Sequence, residues 1–110
     1  MKKIEKEDHL VLQGENEDVA GLANELTVHH NDFKDKNVLV DLLKHEDLTQ
    51  KEMLMFLELS SIHRDGKKSF VIANNALKID ELPEELIVAP TLQEAEDIIK
   101  MEEVERELGF

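Results

Sequence analysis

Asn37-Val38-Leu39-Val40-Asp41-Leu42-Leu43 is nearly continuous in apolar residues. A strand with one wet face alternates apolar and polar side chains, and this run does not. It reads as a strand covered on both faces, as in a parallel or mixed sheet flanked by helices. Working outward, Leu10-Val11-Leu12 running into Gly14, Ser69 to Ala73, and Leu86 to Ala89 read as further strands. Lys2 to Glu7 is short and charged, which suits an edge strand, with Glu7-Asp8-His9 as a turn. Between these runs lie helix signals. Asp18 can cap a helix with apolar positions Val19, Leu22, Ala23 and Leu26, ended by His29 to Asp32. Thr49 and Glu52 form a capping-box pair ahead of one helix, Met53 to Leu59, closed by Gly66. His63 and Arg64 would favour the negative end of its dipole. Lys78 to Glu85 reads as an acidic connection with one helical turn and Pro83. Thr91 and Glu94 repeat the capping-box pattern before a last helix. Its Leu92, Ala95, Ile98, Ile99, Met101, Val104 and Leu108 read as one apolar stripe with a Glu-rich back. The order β, β, α, β, α, β, short α, β, α predicts an α/β fold: one domain over residues 1–110, with a mixed sheet of about five strands flanked by helices.

Composition narrows the function classes. The chain has 110 residues and no cysteine, which fits one domain and excludes disulfides, thiolate metal sites and a Cys nucleophile. It carries 26 acidic against 13 basic residues, a net charge of -13. Such a chain repels phosphate backbones, so nucleic acid is not an expected partner. No apolar run reaches the ~18 residues of a membrane span, and Met1 to Leu10 lacks the apolar region of a signal peptide. A cytoplasmic location and no membrane partner are expected. The charge is uneven: Asn37 to Leu77 carries -1, and Thr91 to Phe110 carries -5.

The order of elements resembles the STAS class, the fold of bacterial anti-sigma factor antagonists. Leu10 to Glu15 looks like that class's second strand running into a Gly-Glu pair. Asn37 to Leu42, followed by Leu48 and Thr49, looks like the strand and loop leading into its switch helix. Lys67 to Ala73 looks like the next strand after a Gly-basic turn, and the last helix, with Ala95 and Ile98, also fits. The resemblance implies a non-enzymatic regulatory module, with no cofactor, that binds a protein partner such as a kinase-like anti-sigma factor. Switch-type members carry Asp-Ser-Ser-Gly in that loop and are phosphorylated on a Ser. Here Asp47-Leu48-Thr49-Gln50-Lys51-Glu52 stands instead, and the aligned position is Gln50 or Lys51. Thr49 is the one hydroxyl nearby and the candidate phosphoacceptor; loss of the Ser implies a constitutive or divergent binder. The C-terminal stretch from Thr91 also resembles short bacterial proteins labelled ribonuclease Z. The alternative reading is therefore an accessory protein working with an RNA-processing nuclease. The zinc motif His-x-His-x-Asp-His of that enzyme does not occur here.

The candidate partner-binding residues are Glu46, Asp47, Thr49, Gln50 and Met53, at the loop and start of the second helix. That helix is apolar nearly all round. Met53, Phe56 and Leu57 fall on one face and Met55, Leu59 and Ile62 on another, so either both faces are buried or one forms a partner or homodimer surface. The five histidines offer no i, i+4 pair, so they read as surface residues and not as metal ligands. Glu96 with Lys100 and Glu102 with Arg106 read as i, i+4 pairs on a solvated helix. No catalytic Ser-His-Asp pattern, P-loop or dinucleotide glycine motif is present.

Overall fold

A computed structural model of the chain describes residues 1–15 and 17–109, apart from the side chain of Ile79. Five strands form one sheet in the order β1-β2-β3-β4-β5: Lys2–Glu5, Leu10–Gln13, Val38–Asp41, Phe70–Ala73 and Val88–Ala89. β1 runs antiparallel to β2, and the other pairs are parallel. The expected α/β mixed sheet flanked by helices is thus observed, and it is compatible with a STAS-like α/β fold.

The Asn37 to Leu43 run sits where its composition predicts. Val38, Leu39 and Val40 are completely buried in the central strand. Val38 and Val40 face one layer with Leu10, Leu12, Phe70 and Ile72. Leu39 faces the other with Val11, Val71 and Ala73. The strand is shorter than the run. The Leu42 amide still bonds to the Ala73 carbonyl at 2.9 Å, but the Leu43 amide donates to Asp41 Oδ1 at 3.0 Å, and this side-chain turn ends the ladder there. Leu42 remains buried outside the strand.

Strand order explains the layers. Successive parallel strands joined by right-handed crossovers place every connection on the same face. Helix α1 (Val19–Val28), helices α2 (Gln50–Leu54) and α3 (Leu57–Asp65), and the β4–β5 connection do pack into a single core with Leu12, Val40 and Ile72. The opposite face is left to α4 (Leu92–Glu107), which seals it with Ala95 and Ile99 over Leu39, Val71 and Ala89. The exposed Lys2 and Lys3 on β1 charge one edge of the sheet, which disfavours further pairing.

Capping follows the sequence closely. Asp18 accepts from the Gly21 amide, and α1 buries Val19, Leu22, Ala23 and Leu26 as expected. At Thr91 only half of the expected box forms among the described residues: the hydroxyl accepts from the Glu94 amide at 3.1 Å.

Two helix expectations are corrected. The single helix after Thr49 is broken into α2 and α3. Between them the Met55 amide bonds to Glu52 and the Phe56 amide to Met53, three residues back. That tighter winding turns Met53 and Phe56 to the same side, and both are completely buried. Gly66 caps the C-terminus of α3 as expected, but not in the left-handed conformation. Gly66 has φ -80°, and it is Lys67, at φ 66°, that takes the left-handed position.

The single stripe of α4 is the second correction. Met101 lies two residues beyond Ile99, about 200° round the helix axis. Ala95 and Ile99 therefore face the sheet while Met101, Val104 and Leu108 face outward. Among the described residues no helix is long and apolar enough to cross a membrane.

Candidate contact site at the carboxyl ends of the parallel strands

β2, β3 and β4 end side by side at Gln13, Asp41 and Ala73. Open α/β sheets usually place their functional loops at this end. The Gln13 side-chain amide donates to Asp41 Oδ2 at 2.7 Å, tying two strand ends together. The loop after β3 is wound in consecutive turns, with the His45 amide bonded to the Leu42 carbonyl and the Leu48 amide to that of His45. Asn74, just past β4 and buried, staples it: its side-chain amide donates to the Leu42 carbonyl at 2.8 Å and the His45 carbonyl at 3.2 Å. Its oxygen accepts from the Ala76 amide at 2.9 Å. All of the Asn74 side chain's polar atoms are thereby used on backbone, which fixes the loop against the sheet.

This scaffold sets out the candidate residues unequally. Glu46 and Asp47 stand exposed on the loop, beside an open hollow of about 260 Å³ also lined by Val19, Lys44, His45, Leu48 and Glu52. Thr49 is exposed, but its hydroxyl is committed. It accepts from the Glu52 amide at 3.1 Å and donates to Glu52 Oε1 at 3.2 Å, while that carboxylate also accepts from the Thr49 amide. A phosphate on Thr49 would have to break this box against a carboxylate. Gln50 is exposed and donates its side-chain amide to the Glu81 carbonyl, joining α2 to the 3₁₀ turn Ile79–Glu81. Met53 does not belong to the surface. The capping box sets the first turn of α2 so that Met53 points into the core, completely buried. The apolar side chains that reach solvent here are Leu54, 41% exposed, and Met55, 43% exposed, at the break between α2 and α3. Leu59, expected beside Met55, turns inward with Phe56.

The histidines depart most from expectation. His63 is buried against Phe33 and Phe70. Its Nε2 lies 2.8 Å from the Lys36 carbonyl, and its Nδ1 lies 2.9 Å from His30 Nε2. A carbonyl can only accept, so the neutral ring carries its proton on Nε2. Its Nδ1 then accepts from His30. Desolvation, with smaller contributions from His30, Arg64 and Lys68, pushes the His63 pKa down to about 4. At neutral pH His63 is therefore uncharged, and of the expected pair only Arg64 meets the α3 dipole as a cation. Burial also lowers the pKa of His30. His9 is buried too, its Nδ1 2.6 Å from Asp8 and its Nε2 3.3 Å from Glu96 on α4.

The acids of α4 likewise pair across elements. Glu102 meets Arg64 at 3.2 Å, and Arg106 donates to Asn37 Oδ1 at 3.0 Å and Ser69 Oγ at 3.1 Å. These contacts replace the expected pairs Glu102–Arg106 and Glu96–Lys100. They bind the end of α4 to the starts of β3 and β4. Among the described residues no three His, Asp or Glu side chains are grouped to hold a metal ion.

No known protein-family model matches this chain, and no curated protein does.

Proposed function

We propose that this chain is a non-catalytic, STAS-like regulatory module that works by binding another protein through the loop 44–52 and the α2–α3 break. The observation carrying this reading is the exposed Leu54–Met55 pair on the helix that follows a loop stapled by Asn74 and carrying the exposed carboxylates of Glu46 and Asp47. Exposed apolar side chains rimmed by charge mark contact surfaces, and Met adapts to varied partners. A pre-ordered loop loses little entropy on binding. The strand order and the loop-to-helix passage after β3 support the STAS resemblance, which names a kinase-like anti-sigma factor as the partner class. The missing Ser and the committed hydroxyl of Thr49 support constitutive binding without a phosphoswitch.

The test is affinity capture from the native host with the tagged full chain and its Met55→Lys variant. The reading expects a kinase-like protein to be retained by the wild type and lost by the variant. Recovery of a nuclease, or equal retention by both forms, would overturn it.

A further inference from the structure

The outward side of α4 is a second place where the fold leaves apolar side chains uncovered. Met101, Val104 and Leu108 are 56%, 52% and 66% exposed. Their spacing of three and four residues aligns them as one ridge, directly opposite the Ala95–Ile99 face that packs on the sheet. Charge borders the ridge asymmetrically. Glu94, Asp97, Glu105 and Glu107 are exposed around it. Arg106, the arginine of the helix, is turned inward onto Asn37 and Ser69. Lys100 is the remaining basic residue of α4 and is exposed.

We infer that this ridge docks a basic amphipathic helix of a partner protein. The inference goes beyond the function proposed above, because it uses a different helix on the opposite layer of the fold. Helix-on-helix recognition is read through apolar anchors at i, i+3 and i+7, the spacing present here. Flanking lysines or arginines on the incoming helix would meet the acids that border the ridge and speed its approach. A second copy of this chain is a poor occupant. Each copy carries -13, and the exposed acids around the ridge would meet the same acids on the other copy.

The experiment titrates the full chain with three synthetic peptides and follows its amide resonances. One is a Leu/Lys helix with leucines on one face, one is the same helix with Glu for Lys, and one is a scrambled Leu/Lys sequence. The ordered Leu/Lys helix is expected to bind saturably, to shift resonances along α4, and to weaken as salt is raised. Val104→Glu is expected to weaken it by at least about tenfold, with an unchanged circular dichroism spectrum. Equal binding of the scrambled or Glu peptide, or of Val104→Glu, would overturn the inference. So would self-association by sedimentation that Val104→Glu abolishes.

Discussion

Acidification should unfold this protein partly through His63. The group ionises near pH 4 when folded and near 6.5 in an unfolded chain. Between those values the unfolded chain binds more protons, so stability falls as pH drops from 6.5 towards 4 and is fully retained above 6.5. Full depression over that window corresponds to about 3 kcal/mol, of which about 2 kcal/mol is already lost at pH 5. The cause is structural. Protonating His63 puts a hydrogen on Nδ1, where His30 Nε2 already donates at 2.9 Å, and it charges a ring packed between Phe33 and Phe70. The assay is urea unfolding at a series of pH values between 4 and 7.5, for the wild type and His63→Gln. Gln can still donate to the Lys36 carbonyl but cannot titrate. Carboxylates titrate in both proteins, so the difference between the two curves isolates the histidine. That difference should shrink or reverse as pH falls through the window. A difference independent of pH would refute the assigned proton and its burial.

Other substitutions test the local geometry. The Ser60 hydroxyl is buried with no hydrogen-bond partner among the described residues, so Ser60→Ala should leave stability unchanged or raise it by about 1 kcal/mol in thermal unfolding. Lys67→Gly should stabilise by about 1 kcal/mol, because Lys67 holds a left-handed backbone conformation that glycine adopts without a Cβ penalty. Asn74→Ala removes the side-chain bonds to the Leu42 and His45 carbonyls, which keep only their backbone partners, and the bond to the Ala76 amide, and should cost about 1–3 kcal/mol, with hydrogen exchange accelerated across residues 42–48. A loss spread over the whole chain, with no local acceleration, would argue against the staple.

The parts of the fold legible in the sequence are those set by local signals. The Asn37 to Leu43 run carries its own evidence of two covered faces, and Asp18, Thr49 and Thr91 each mark a helix start through a side chain bonded three residues on. What escaped depends on distant partners. The α2–α3 break follows from burying Met53 and Phe56 together, which an all-round apolar sequence does not reveal. The outward turn of Met101 and Val104 was hidden because apolar residues occupy both sides of α4, and helix phase becomes visible only once the sheet selects Ala95 and Ile99. His63 is buried because Phe33 and Phe70 approach it from elsewhere in the chain. In the candidate site, the loop and cap signals place Glu46, Asp47 and Thr49 on exposed positions, as the structure has them. Met53 was misplaced, and Asn74 was missed, although an Asn pair directly after a buried strand was the available clue.

The most direct test of the proposed contact surface is a photo-crosslinking residue placed at Met55, compared with one at Val28, which is more open to solvent but lies at the far end of α1. The contact reading predicts a single crosslinked protein partner from position 55 and none from position 28. Crosslinking to the same partner from Val28, with none from Met55, would contradict it.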